Sequence, residues 1–258
     1  MKQSQFYYLL RRGLFSAGSA IIKNGLVMFN KFTTAGLNFP AQGSAEFDGA
    51  SDYIDIPDTN LPSGTSARTI SVWIYPNAND NGRILSYGSA STDAAFDIIT
   101  QASTNVLAVI GYATNYFSTA TISLNEWTFV SITLSSGTLK MYVNGSEVYS
   151  TGSASINTTL SGSARIGKGV WDVSDWNGNL ANVAIWNRAL SSDEINSVMW
   201  KSYEALSGAE SNGLQAWYSL DDITSPAASL ANMEQLAADK DATIENKAAI
   251  TAAINALS

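Results

Sequence analysis

The chain of 258 residues contains neither cysteine nor histidine. Without cysteine it can form no disulfide bond, no thiolate nucleophile and no cysteine-ligated zinc site. Without histidine it lacks an imidazole general base, a Ser-His-Asp triad and the commonest metal-binding side chain. The composition therefore excludes most hydrolase mechanisms, and it leaves the stability of the fold to packing.

Charged residues are also scarce, at 14% of the chain, whereas apolar residues make up 45% and aromatic residues 10%. This composition supports a large buried core and argues against a disordered chain. Long apolar runs are missing, which predicts no transmembrane helix. The stretch over residues 14–22 is a poor secretory signal because glycine and serine interrupt it.

The charge is divided unevenly along the chain. The first 45 residues contain five Lys or Arg and no acid, which gives them a charge of +5. Because the net charge of the chain is −8, the remaining residues carry −13. Residues 1–23 are predicted to be a basic aromatic arm that binds a partner through Phe6, Tyr7, Tyr8, Arg11 and Arg12. The alternative is a basic strand and loop of the main domain. The acidic body is expected to repel nucleic acid.

The central region has the alternation typical of β-strands. Residues 69–75, 127–134 and 138–143 each place apolar side chains on every second position. Asn144-Gly145 then predicts a type I′ turn, with a hairpin partner over 147–149. Further strands are predicted over residues 47–56, 83–87, 96–100, 106–112, 164–167 and 180–186.

Two helices are predicted. Ser191 begins the first, with Asp193 and Glu194 in its first turn. Residues 226–258 are rich in alanine and predict a C-terminal helix. A heptad-like apolar spacing allows this helix either to self-associate as a coiled coil or to lie on the body of its own chain.

Several runs, in this order and spacing, resemble the concanavalin A-like, laminin-G-like (LamG) jelly-roll family in its phage or bacterial form. The runs lie at residues 45–56, 69–75, 125–130, 139–145, 165–167, 177–180, 185–190 and 193–195. The resemblance implies an all-β, antiparallel jelly-roll β-sandwich over residues 24–222, between the N-terminal arm and the C-terminal helix. A glycine-leucine run with a following aromatic, which resembles the opening strand of the family, occurs both at Gly25 and at Gly213; the pair marks either two strands near the closure of the sandwich or the vestige of a second unit.

The resemblance implies a binding or structural module, because such domains occur in adhesins, carbohydrate-active enzymes and phage virion proteins. Ala181-Asn182 replaces an acidic pair that many relatives carry, so the role of that pair does not transfer. A glycosidase of this fold needs paired carboxylates, typically as E-x-D-x-x-E. Only Glu46 and Asp48 fit, and Ser51 occupies the position of the second glutamate. We therefore expect no enzyme activity.

Two aromatic segments are candidates for glycan binding, because an indole or phenol ring packs on a sugar ring while neighbouring polar groups bind its hydroxyls. The first segment supplies Trp171, Asp172, Asp175, Trp176 and Asn177. The second is a predicted loop that supplies Tyr112 and Tyr116 beside Asn115 and Phe117. The alternative for the first segment is that Trp176 packs into the sandwich while the Asp and Asn residues form a turn.

Four acids, Asp48, Asp52, Asp55 and Asp58, lie close together in the sequence. Carboxylates at such spacing could bind calcium, with Asp48 and Asp52 as the candidate ligands. The alternative is that they cap turns through hydrogen bonds to the backbone. No other cofactor is expected.

These observations predict a non-enzymatic phage virion structural protein, namely a tail, fibre or head-decoration subunit that displays the sandwich for attachment to host glycans. Its expected partners are other virion subunits, bound through the arm and the C-terminal helix, and a cell-surface glycan. A homo-oligomer at the virion surface is expected. The alternatives are a free, extracellular bacterial adhesin module and a structural cement protein without a ligand.

Overall fold

The computed structural model describes residues 43–171 and 174–220, which form a sandwich of two antiparallel sheets. All the described residues belong to one compact unit. The seven-stranded sheet contains β1 (Ala45–Asp48), β12 (Asn177–Trp186), β3 (Arg68–Pro76), β8 (Thr128–Ser135), β9 (Thr138–Val143) and β10 (Ser146–Thr151), with β13 (Leu214–Tyr218) also paired to β12. The six-stranded sheet contains β2 (Ile54–Ile56), β11 (Ala164–Ile166), β4 (Arg83–Gly88), β5 (Ala95–Thr100), β6 (Val106–Ile110) and β7 (Asn115–Thr121).

One main hydrophobic core fills the space between the sheets. Alternate residues of each strand enter it, as the period-2 pattern predicts: Ile70, Val72 and Ile74 from β3 meet the core while Trp73 lies on the outer face. This arrangement confirms the predicted all-β jelly-roll sandwich.

The predicted hairpin is confirmed at β9 and β10. Asn144 and Gly145 hold φ angles of 48° and 79°, the two positive values that a type I′ turn requires. Ser146 pairs with Val143 across the turn. The side chain of Asn144 also accepts a hydrogen bond from the backbone N–H of Phe129 at 2.9 Å, which ties the turn to β8.

The helix predicted at Ser191 is α1 (Ser192–Val198), and it has a complete capping box between Ser191 and Glu194. A 3₁₀ turn (Tyr203–Ala205) and α2 (Gly208–Ser211) follow it. The indole N–H of Trp73 donates a hydrogen bond to the carbonyl of Met199 at 3.1 Å. The helical segment therefore covers part of the outer face of the seven-stranded sheet.

Two sequence predictions differ from the structure. Residues 47–56 form two strands in different sheets rather than one, because a turn over residues 49–53 redirects the chain. The predicted loop around Tyr116 is strand β7, in which exposed and buried residues alternate from Asn115. The run at Gly213 is confirmed as a strand, since β13 pairs with β12.

The predicted arm, the predicted C-terminal helix and residues 24–42 of the predicted sandwich lie outside the described residues. Among the residues described, no helix has the length and apolar character needed to cross a bilayer.

Candidate ligand-binding site

The segment between β11 and β12, described over residues 167–171 and 174–176, is called the β11–β12 loop here, and it contacts the outer face of the six-stranded sheet. The backbone N–H of Val170 donates a hydrogen bond to Oγ of Ser86 on β4 at 3.1 Å. Arg165 donates to the carbonyl of Gly169 at 3.2 Å. The N–H of Trp176 donates to the carbonyl of Gly167 at 2.7 Å and closes the base of the loop. The loop is thus fixed to the sheet at several points.

Trp171 near the tip of this loop meets Tyr112, which lies 59 positions earlier in the chain. Their ring centroids are 5.8 Å apart at an interplanar angle of 85°, an edge-to-face contact. Tyr112 is 49% exposed and Trp171 is partly exposed. The structure therefore brings together one aromatic residue from each of the two predicted glycan-binding segments.

Tyr112 occupies the turn between β6 and β7 with a φ of +79°. A bulky side chain in this region is uncommon, and such residues are concentrated at functional sites. The turn is closed by a 2.6 Å hydrogen bond from the N–H of Gly111 to the carbonyl of Thr114. The ring of Tyr112 is held outward on a short, closed turn.

A carboxylate that the sequence analysis did not select lies beside this turn. Oδ1 of Asp93 would be 3.7 Å from a β-carbon placed on Gly111. The same oxygen accepts a hydrogen bond from the hydroxyl of Ser155 at 2.9 Å. Asp93 thus places a polar acceptor beside the turn that carries Tyr112, and this position could not be found from the sequence because residues 93, 111 and 155 are distant along the chain.

The other predicted ligand residues have different positions. Trp176 is 1% exposed and Tyr116 is buried in the main core, so we leave both out of the candidate site. Asp175 forms a 3.1 Å ion pair with Lys168 within the loop. Asn177 opens strand β12 opposite Asp48, and Asp172 lies outside the described residues.

Beneath the loop lies a buried acid that the sequence analysis also missed. Asp97 on β5 is fully buried, accepts a 2.6 Å hydrogen bond from the hydroxyl of Ser86, and has Nε of Arg83 at 3.5 Å. Burial raises the pKa of Asp97 to about 7, although Ser86 and Arg83 oppose this shift. Ser86 therefore links Asp97 to Val170 of the loop. The sequence signal that identifies Asp97 is an acid within the apolar run of β5.

Asp48, one of the two predicted calcium ligands, holds a turn. Its Oδ1 accepts hydrogen bonds from the backbone N–H groups of Ala50 at 2.8 Å and Ser51 at 2.9 Å, and these bonds lower the pKa of Asp48 to about 2. Oδ2 of Asp52 accepts from the N–H of Asp48 at 3.2 Å. The described part of the chain contains no cluster of three or more acids arranged to bind a metal.

The protonation state of Asp48 matters for the carboxylate pair with Glu46 that the sequence analysis compared with a glycosidase motif. With a pKa near 2 it is ionised at neutral pH and could not serve as a general acid. Glu46 is exposed on β1. The predicted partner-binding residues, Phe6, Tyr7, Tyr8, Arg11 and Arg12, lie outside the described residues.

Two solved structures of similar fold are domain 4 of AbnA, an extracellular arabinanase from Geobacillus stearothermophilus bound to arabinotriose, and a candidate carbohydrate-binding protein from Bacteroides ovatus. The first is 22% identical, covers 60% of this chain and 76% of its own, and has a TM-score of 0.51. The second is 20% identical, covers 72% of this chain and has a TM-score of 0.55. The alignment spans only 54% of the Bacteroides ovatus chain. At these identities the likeness establishes the fold alone.

No curated protein sequence matches the chain. The profile of the laminin-G family Laminin_G_3, described as the concanavalin A-like lectin/glucanases superfamily, matches residues 48–196, which is more than half of the chain. The sandwich architecture and this match agree, and the chain belongs to the concanavalin A-like lectin/glucanases superfamily.

Proposed function

We propose that the sandwich is a non-catalytic carbohydrate-binding module whose ligand contacts the Tyr112–Trp171 pair. The observation that carries this proposal is the edge-to-face contact between the exposed ring of Tyr112 and the partly exposed ring of Trp171, which come from separate loops. Aromatic rings presented in this way pack on the apolar face of a sugar, and carboxylate or amide groups nearby bind its hydroxyls. Asp93 beside the turn and the exposed Asn115 supply such groups.

Rigidity of the two rings supports the same proposal. A ligand that meets an ordered surface loses less of its binding free energy to ordering that surface. The β11–β12 loop is fixed through Val170 and Gly169, and the turn of Tyr112 is closed by Gly111. The arabinotriose complex of the Geobacillus stearothermophilus domain is a further support, since that domain has the same fold and binds a saccharide.

Binding to a panel of bacterial polysaccharides tests the proposal. We expect Trp171→Ala and Tyr112→Asn each to weaken binding at least about tenfold, because each removes an aromatic contact worth more than about 1.4 kcal/mol at a binding hot spot. Asparagine tolerates the positive φ of residue 112, so this variant removes the ring without adding strain. Affinity electrophoresis or calorimetry provides the measurement.

Trp200→Ala is the matched control, because Trp200 is 58% exposed but lies after α1, against the other sheet. It should bind as the unmodified chain does. Equal binding by all four proteins would contradict the proposed site. The panel is measured with calcium and with chelator; we expect no difference, since Asp48 is engaged by backbone N–H groups, and a calcium requirement would restore the metal hypothesis for Asp48 and Asp52.

The finer proposal is that the module is displayed by a phage virion subunit, with the basic arm and the C-terminal helix as its assembly segments. Its support is the charge division of the sequence, in which five basic residues and no acid precede an acidic body. A free extracellular adhesin module and a cement protein without a ligand remain the competing proposals.

Sedimentation separates these proposals. We expect the full chain to form a homo-oligomer, and a chain lacking residues 1–23 and 226–258 to be a monomer, because the removed segments carry the basic aromatic arm and the heptad-like helix. Sedimentation equilibrium at low and high salt measures both species. A monomer in both forms would favour the free module.

A further inference from the structure

A second concave surface lies on the opposite side of the sandwich, on the outer face of the seven-stranded sheet. It is a groove of about 350 Å³ between strands β8, β9 and β10 and the segment that leads into α1. We call it the β9 groove. Its volume lies within the range of small-molecule sites. Its lining includes Thr133, Ser135, Lys140, Tyr142, Glu147 and Ser191.

The charge in the β9 groove is balanced. Nζ of Lys140 lies 2.8 Å from Oε2 of Glu147, and these side chains are 38% and 41% exposed. An ion pair of this kind offers little net attraction to a charged ligand, but it presents ammonium donors and carboxylate acceptors at one place. The groove is therefore suited to a polar ligand without net charge.

Hydroxyl groups provide the remaining polar surface. Thr133 and Ser135 from β8 and Ser191 before α1 each carry a group that can both donate and accept. Tyr142 is almost fully buried, and burial raises its pKa above the usual tyrosine value, so its hydroxyl keeps its proton at neutral pH. Leu190 adds an apolar contact. A ligand with alternating hydroxyl and C–H surface matches this lining.

We propose that the β9 groove is a second saccharide-binding site, which takes a residue of a neutral glycan. It extends the proposed carbohydrate-binding function to the other face of the molecule. Val170, beside Trp171, contacts the outer face of the six-stranded sheet, whereas the groove lies on the outer face of the seven-stranded sheet. Two sites facing apart would let one module join separate glycan chains and gain avidity from a polymeric ligand.

Amide chemical-shift mapping on the full chain tests this proposal, with cellotriose, maltotriose, xylotriose and arabinotriose as neutral probes. We expect saturable shifts at Lys140, Tyr142 and Ser191 with at least one probe. Ser135→Trp, which fills the groove, should abolish these shifts. Glu147→Gln should raise the Kd of the groove about tenfold, because it removes the charge of the acceptor. An acidic trigalacturonate probe should bind the groove more weakly than the neutral one.

The experiment tests the two proposed sites separately. Trp171→Ala is the control variant, and it should remove shifts around Tyr112 while the groove shifts persist. Saturable shifts around Tyr112 alone would retain the proposed function and overturn the second site. Groove shifts alone would support the second site and overturn the Tyr112–Trp171 site. The absence of groove shifts with every neutral probe at concentrations up to about 10 mM would mean that the Kd is higher than this value, and it would overturn the inference.

Discussion

Gly167→Ala is expected to lower the free energy of unfolding by about 2–5 kcal/mol. Gly167 begins the β11–β12 loop with a φ of +85°, and a β-carbon there would lie 2.3 Å from Cδ1 and Cε1 of Phe47. Phe47 is itself buried in the core, so its ring cannot move aside. The expected loss combines about 1–2 kcal/mol for the left-handed backbone with about 1–3 kcal/mol for overpacking. Chemical denaturation measures it.

Gly162→Ala separates these two contributions. Gly162 has a φ of +84°, but a β-carbon there would meet nothing within 4 Å. We therefore expect this control to show only the backbone cost of about 1–2 kcal/mol. Equal losses for the two variants would show that Phe47 accommodates the added methyl group and that the loop is not fixed by this contact. If Gly167→Ala remains folded, weaker glycan binding is also expected, because the same contact positions the loop that carries Trp171.

The buried carboxyl of Asp97 is expected to make stability fall as the pH rises from about 4 to about 7. The folded pKa, near 7, lies above the usual aspartate value of 3.8. The folded state therefore binds this proton more tightly than the unfolded chain does. The contribution of the protonated Asp97 to the free energy of unfolding is complete below pH 4 and is lost as the pH rises to about 7. A shift of this size corresponds to roughly 4 kcal/mol. Denaturation of the full chain between pH 4 and pH 9 measures the slope.

Asp97→Asn should flatten most of this slope, since an amide does not titrate. Below pH 5, where the amide replaces a protonated acid, we expect the variant to have a lower free energy of unfolding than the unmodified chain. Above pH 7 we expect this difference to become smaller. Burial also raises the pKa of Asp80, so a smaller slope from that group remains in both proteins. Asp48 and Glu210 have lowered folded pKa values, near 2, and their contributions are lost only in more acidic solution.

Asp55→Asn is the matched control on the same sheet, because this carboxylate is mostly exposed and pairs with Arg165 at the surface. It should follow the profile of the unmodified chain between pH 5 and pH 9. An unchanged slope in Asp97→Asn would refute the assignment to Asp97. Since Ser86 contacts both Asp97 and Val170, glycan binding should also weaken above pH 7 in the unmodified chain and less so in Asp97→Asn.

The candidate site was predictable only in part. The sequence points to Trp171 and Tyr112 because aromatic residues stand beside polar residues there; Tyr112 is exposed and Trp171 is partly exposed. The same reasoning selected Trp176 and Tyr116, which are core residues. An aromatic residue has the same local signal in either environment, and its burial depends on which sheet face the chain covers there. Asp93 and Asp97 were missed because their partners come from other segments of the chain.

The sequence by itself determined the features that depend on neighbouring residues. Alternation in β3 and β8, the positive-φ pair Asn144-Gly145 and the capping box of Ser191 are local, and each formed as predicted. Tertiary structure alone decided the contact of Tyr112 with Trp171, the burial of Asp97 and the β9 groove. Each of these joins segments far apart in the chain. Their positions follow from the order of strands in the two sheets, because long-range pairing, rather than local propensity, brings such segments together.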